Sequence, residues 1–351
     1  MRELLYTYRM ANVKIEKLSS SLEEEEKRGE TSEAESFSLA HLSDPHLTSL
    51  ADIKFPQLLN KRILGYLSWL RKRRFIHCRE IIDSLVEDLH VTQPDHIAIT
   101  GDLTHLGLPI EYIEAGQWLN SLGSPEQVTV IPGNHEAYWG RNWFKKCSMW
   151  EPYLQSDTHL NLSTTANFFP SLRIRGEVAL IGLCSARPSL PLLATGSLGK
   201  EQLAGLETLL QQTGRQGLLR VVLIHHPPLS GIVKRRKCLT DSQLFIDILE
   251  RCGAELVLHG HAHVATVNSM QTAAGTIPVI GVPSASELNP RSGHCAKYNI
   301  YQLKRTATGW EMMMKVRGYS VSRKCFVPEQ EITLEIPLAD GSELVAEQNE
   351  H

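Results

Sequence analysis

From Phe37 onward, short apolar runs alternate with segments whose apolar residues recur at helical spacing. "FSLAHLSD" (37–44), "DHIAIT" (95–100), "EQVTVIPG" (126–133), "LLRVVLIHH" (218–226) and "AELVLHG" (254–260) read as strands, too short for helices and closed by turn residues or polar clusters. Between them, "CREIIDSLVEDLH" (78–90) places apolar residues at 81, 82, 85, 86 and 89, one face of a helix. "EYIEAGQWLNSL" (111–122), "GKEQLAGLETLLQQ" (199–212) and "DSQLFIDILERC" (241–252) predict further helices, and "LRIRGEVALIGLCSA" (172–186) a hairpin. After Val264 the texture changes, and "TIPVIGVPS", "KYNIYQLKR" and "WEMMMKVRGYSV" follow as strands without intervening helices. The alternation predicts an α/β protein with a largely parallel sheet, and the late run adds an antiparallel extension.

The ends of the chain break this pattern. Residues 1–36 include "SSSLEEEEKRGETSEAES", polar, Glu-rich and aperiodic, and are expected to form a disordered acidic tail. The main domain is placed at 37–320, with 321–351 as a C-terminal extension. At 351 residues and 42% apolar content the chain can bury a sizeable core. A net charge of −3 gives no whole-protein case for nucleic-acid binding, so no specific nucleic-acid partner is expected. The seven cysteines are scattered and lack a CxxC, which reads as reduced thiols. With no spanning apolar run and no signal-type segment, a cytoplasmic protein is expected, peripheral membrane contact staying open. Nothing here bears on oligomeric state.

Chemistry gathers where the predicted strands end. The first runs into Asp44-Pro-His46, the second into Gly101-Asp102, and the third into Gly133-Asn134-His135-Glu136. Later ones end in His225-His226-Pro-Pro and Gly260-His261-Ala-His263. Sites in α/β sheets form at the carboxyl ends of strands. Five strand ends each offering Asp, Asn or His make a mixed nitrogen and oxygen donor set, suited to Mn²⁺, Fe²⁺ or Zn²⁺. His259, before the glycine of the last motif, is read as structural.

The ordered series Asp-x-His, Gly-Asp, Gly-Asn-His-Glu, His-His-Pro and Gly-His-x-His closely resembles the calcineurin-like metallophosphoesterases, from Phe37 to about Tyr319. The resemblance implies a four-layer α/β-β/α sandwich with mixed sheets and two divalent metal ions at the sheet edge. It implies that Asp44, His46 and His263 hold one ion, that Asn134, His225 and His261 hold the other, and that Asp102 bridges both. The implied reaction is attack of a metal-bridging hydroxide on a phosphodiester, with His135 donating to the phosphoryl or leaving-group oxygen. His105 and His226 are candidates for contact with substrate, and packing is the alternative for His105.

Two departures narrow the family. Protein Ser/Thr phosphatases of this superfamily carry an Arg before Gly-Asn-His-Glu and continue Gly-Asp-x-x-Asp-Arg-Gly, where this chain reads "VIPGNHE" and "GDLTHLG". His105 stands in place of the Asp that orients the catalytic histidine, and Leu106 replaces a phosphate-binding Arg. The motifs look more like the bacterial class III cyclic-nucleotide phosphodiesterases. An alternative is pyrophosphate cleavage in a nucleotide-linked lipid of the UDP-diacylglucosamine type. A non-catalytic scaffold is a third reading, and the complete ligand set argues against it.

Two basic stretches bear on substrate choice. In "LLNKRILGYLSWLRKRRF" (58–75), Leu59, Ile63, Tyr66, Leu67 and Leu70 fall on one helical face, with Lys61, Arg62 and Arg71–Arg74 largely off it. It is either an insert packed on the domain or an interfacial helix that meets anionic lipid or forms a lid. "GIVKRRKC" (231–238) is a solvated loop or an approach to the phosphate. Trp139, Trp143 and Trp150, just after Gly-Asn-His-Glu, are expected mostly in the core, with part of a cap as the alternative.

Overall fold

The computed structural model describes residues 36–337, apart from 52, 59, 141, 161–167, 274 and 290–293. The acidic tail, Leu59 and the last residues of the C-terminal extension lie outside the described residues.

Two six-stranded mixed sheets face each other. The first has the order β14-β13-β12-β1-β2-β3 and is parallel from β1 (Phe37–Leu42) through β2 (His96–Ile99) to β3 (Val128–Val130). The antiparallel extension joins on the other side of β1: β12 (Lys297–Thr306), β13 (Gly309–Ser320) and β14 (Cys325–Pro337). Pairing of β14 along β13 carries this sheet to Pro337, past the boundary drawn at 320 from sequence. Phe326 is buried there against Tyr298.

The second sheet has the order β4-β5-β6-β7-β9-β8. Its hairpin, β4 (Ser171–Arg175) and β5 (Val178–Gly182), leads into parallel β6 (Leu219–Ile224) and β7 (Leu256–His259). Beyond these, β9 (Gly275–Gly281) pairs with β7 and with β8 (Thr266–Thr272), an edge strand too polar to stand out in the sequence.

Alternation along the strands separates the layers. Val221, Leu223, Leu256 and Leu258 join the core shared with β1–β3, while Val222, Ile224 and Val257 pack with Leu206, Leu210 and Phe245 of the outer helices. Since successive side chains point to opposite faces, a strand covered on both sides is apolar throughout. On the other flank, the helices Arg79–Thr92 and Pro109–Leu122 bury Ile81, Leu85, Tyr112 and Trp118 in the first core. The result is the four-layer sandwich expected.

The basic insert forms a short helix, α1 (Arg62–Arg71), followed by a 3₁₀ turn at Arg73–Phe75. Its buried side is rotated from the one expected: Trp69 and Arg62 are buried, whereas Ile63 and Leu67 are more than a third exposed. Arg62 decides this by donating to the carbonyls of Leu106 and Gly107 at 2.9 and 2.8 Å. Trp69 fills a satellite core with Leu50, Leu58, Leu106 and Leu108. A guanidinium that caps loop carbonyls is satisfied inside, so it outcompetes Ile63 for the buried position. Trp143 and Trp150 are buried as expected, and Trp139 stays 44% exposed. Among the described residues, no helix is long and apolar enough to cross a membrane.

Candidate metal centre

All five strand-end motifs meet where the carboxyl edges of the two sheets come together. Bonds between loops hold them there: Asp44 N donates to Gly101 O (2.9 Å), His46 N to Asp102 O (3.1 Å) and His261 N to Asp44 Oδ2 (2.9 Å). Gly133 permits the approach, because a Cβ there would lie 2.6 Å from Asp102 N and 2.7 Å from His225 Cε1.

The backbone is unusual at this place. Asp44, His46, Asp102, His261 and His263 have φ of 53°, 43°, 58°, 65° and 57°. Left-handed non-glycine residues cost about 1–3 kcal/mol each and persist only where their surroundings enforce them. Here the inter-loop hydrogen bonds do so, and the strain turns each side chain back toward the common centre.

The donor atoms fall into three clusters, each within 4.8 Å: Asp44, His46 and His263; Asp102, His225 and His261; and His46, Asp102 and His135. The first gathers the three residues expected at one ion, the second joins His225 and His261 with Asp102, and the third links Asp102 to His46. Asn134 reaches the second set, with its Oδ1 3.2 Å from His225 Nε2.

Tautomers follow from the partners, because a carbonyl can only accept. His46 Nδ1 donates to Thr104 O (2.8 Å), which leaves Nε2 as a lone pair, buried and without a partner. His225 Nδ1 donates to Thr100 O (2.6 Å), turning Nε2 toward Asp102 Oδ2 at 3.3 Å. His261 Nε2 donates to Lys237 O (3.1 Å), which leaves Nδ1 for the centre. His263 Nδ1 faces Glu287 Oε2 (3.3 Å), and its Nε2 stands 3.1 Å from Asp44 Oδ1. Metal-bound histidines typically donate their other nitrogen in this way. Burial lowers the proton affinity of His225 and His263, yet the carboxylates of Asp102 and Asp44 respectively overcome it and lift each to about 9. The negative cavity demands positive charge, and lone pairs aimed inward suit divalent cations.

Around this set, Glu136 ties the loops together by accepting from Asp102 N (2.9 Å), Gly133 N (2.7 Å) and Thr104 N (2.9 Å). His135 N donates to Asp102 Oδ1 (2.7 Å), and His135 Nδ1 donates to the carbonyl of His105 (2.5 Å). The orienting group for His135 is therefore a backbone oxygen. The His105 ring is buried and stacks on His46, centroids 4.9 Å apart. His226 is fully buried, with Nδ1 against Ser185 Oγ (2.8 Å) and Nε2 against Ala194 O (3.3 Å), so both ring nitrogens are engaged within the protein. His259 is likewise buried, with Nδ1 against Gly260 O (3.2 Å).

Three residues at the site escaped the sequence reading. Arg73, in the turn after α1, places Nη1 3.1 Å from His135 Nε2. His77 packs its ring 4.7 Å from that of His46 and meets Ser286 Oγ through Nδ1 (2.8 Å). Glu287 is the partner of His263. Each lies outside a strand-end motif, and only the basic stretch 71–74 carried any signal.

Comparison with known proteins agrees with this geometry. Residues 37–265 match the calcineurin-like phosphoesterases. A protein of a Synechococcus strain, named a probable cyclic nucleotide phosphodiesterase, is 26% identical over 204 residues, 57% of this chain and 68% of that one. A dimetal phosphatase from Danio rerio has a similar fold, with a TM-score of 0.55 at 14% identity, covering 86% of this chain and 99% of that one. The purple acid phosphatase PPD1 of yellow lupin gives 0.53 at 11% identity, covering 86% of this chain and 54% of its own. The chain belongs to the calcineurin-like phosphoesterase family, whose members are metal-dependent phosphoester hydrolases.

Proposed function

We propose that the protein hydrolyses a phosphodiester with two divalent cations, and that a cyclic nucleotide is the substrate class to test first. The observation that carries this reading is the convergence of two adjacent donor groups, Asp44, His46 and His263 in one and Asp102, His225 and His261 in the other. Asp44, His46 and His263 would hold one ion, Asn134, His225 and His261 the other, and Asp102 would serve both. When bound, the ions supply an activated water near neutral pH and neutralise charge on the phosphoryl oxygens. His135 stands beside the centre with Nδ1–H fixed on His105 O, so Nε2 is the atom that exchanges a proton or hydrogen bond with the leaving oxygen. His105 and His226 act by support: the first through its carbonyl and its stacking on His46, the second by packing behind His225 and His261. The relative from Synechococcus favours a cyclic nucleotide by its name alone.

The test is initial rates on bis(p-nitrophenyl) phosphate and p-nitrophenyl phosphate, with Mn²⁺ restored to chelator-stripped protein. Metal-dependent cleavage that favours the diester is expected, followed by turnover in a cyclic-nucleotide screen. Two bound ions with neither ester cleaved would remove this reading in favour of a scaffold.

A second reading, cleavage of a nucleotide-linked lipid, draws support from α1. Ile63, Leu64 and Leu67 are exposed there, and Arg71, Lys72 and Arg74 follow in the solvent. Apolar and basic groups on one exposed element suit an anionic lipid surface. Replacing Arg71, Lys72 and Arg74 with Gln is expected to reduce sedimentation with anionic vesicles. Equal sedimentation of wild type and variant would count against it.

A further inference from the structure

Arg73 and Lys237 come from segments 164 positions apart in sequence, yet one touches His135 and the other's backbone touches His261. Arg73 Nη1 lies 3.1 Å from His135 Nε2 and 3.3 Å from His135 Nδ1. The backbone of Lys237 is pinned at the centre by His261 Nε2, which donates to its carbonyl at 3.1 Å. Both side chains are half-buried; the charges of Asp102 and Asp44 act on Arg73, and those of Arg73, Asp44 and Asp102 act on Lys237. Among the described residues neither forms an ion pair, whereas other half-buried or buried arginines do, such as Arg175 with Asp157 and Arg220 with Glu255.

Two cations held near each other and partly out of water, without a carboxylate, are unfavourable unless an anion joins them. Asp44 and Asp102 cannot fill that role once they ligate metal. The remaining candidate is what enters the site. Arg suits a phosphoryl group particularly, since its fork gives two parallel hydrogen bonds to non-bridging oxygens, while Lys adds a point charge. His135, against which Arg73 rests, is the residue placed at the leaving oxygen. The guanidinium is therefore within reach of the same group.

We infer that Arg73 and Lys237 form an anion clamp across the metal centre that grips the non-bridging oxygens of a phosphate, and grips a dianionic phosphate more tightly than a monoanionic diester. This rests on the phosphoesterase reading above. It gives the basic insert a catalytic-site duty, in place of the phosphate-binding Arg that protein phosphatases carry where this chain has Leu106. A clamp that favours the dianion also makes the phosphomonoester product an inhibitor.

Calorimetric titration of inorganic phosphate into the full-length, Mn²⁺-loaded protein tests the clamp, with metal stoichiometry measured on each sample. Arg73→Ala and Arg73→Gln are expected to weaken phosphate binding by about tenfold or more, and Lys237→Ala by a smaller factor, with two ions still bound. Arg73→Lys should recover part of the loss, because charge is retained and the fork is not. Lys200→Ala, which removes an exposed cation from the helix Lys200–Arg215, should bind phosphate as wild type does. Wild-type affinity in both Arg73 variants would overturn the clamp and leave the phosphoesterase reading standing. Loss of metal in those variants would also overturn it, showing Arg73 to support the centre and not the anion. Failure of the metal-loaded wild type both to bind phosphate and to cleave either ester would remove the underlying reading as well.

Discussion

At the scale of single residues, Asp102 carries the most. One oxygen accepts from His135 N, the other faces His225 Nε2, and the carboxylate lies in two of the three donor clusters. Asp102→Asn keeps the shape but removes the charge that two cations would share. Metal-dependent turnover is expected to fall by about a hundredfold or more, with fewer than two ions bound per chain. Near-normal rates and stoichiometry would defeat the bridging role. The residues proposed to hold metal stood out in sequence because each follows a strand end. Arg73 was not: in a run of basic residues nothing marks which one turns inward. The 3₁₀ turn after α1 decides it, placing Arg73 against His135 while Arg71, Lys72 and Arg74 remain exposed.

At the scale of elements, the loop from Asp102 to Leu108 is shaped by a carboxylate from the helix that follows it. Glu111 is fully buried and accepts from His105 N (2.5 Å), Leu106 N (3.1 Å) and Leu108 N (2.8 Å). It caps its own helix and sets the His105 carbonyl that orients His135. Glu111→Gln puts an amide donor among backbone donors, at about 1–3 kcal/mol. Because the loop is not itself a ligand at His105, kcat is expected to drop by about tenfold while both ions stay bound. A variant with unchanged kcat would show that His135 is held by other means. Most strand and helix positions were readable from periodicity; the polar edge strand β8 and the facing of α1 were not. Its apolar spacing pointed to Ile63 and Leu67, but the carbonyls of Leu106 and Gly107 needed Arg62, and no local pattern records that demand.

At the scale of the whole molecule, buried histidines outside the centre couple stability to pH. His96, in β2, is fully buried with Nε2 against Thr129 Oγ1 (2.7 Å). Burial, then the charges of Arg175 and Arg173, lower it from 6.5 to about 3. The unfolded chain therefore binds a proton between pH 6.5 and 3 that the folded protein refuses. The stability this represents is complete above pH 6.5 and declines as pH falls toward 3, by up to about 1.4 kcal/mol per pH unit. The melting temperature of wild type should thus fall more steeply than that of His96→Gln between pH 6.5 and 4. Parallel curves would exclude His96 as a source of the acid sensitivity. What the sequence determined by itself was the alternation of most strands and helices and the residues offered to metal, while the sandwich came from the resemblance that the ordered motifs carry. Those signals are local: strand ends, glycine turns and apolar periods lie within a few residues of each other. The burial of Arg62 against the Leu106 and Gly107 carbonyls, the role of the His105 carbonyl and the meeting of Arg73 with His135 were decided by the tertiary structure alone. Each joins groups far apart in the chain, or turns on a backbone atom that every residue type possesses.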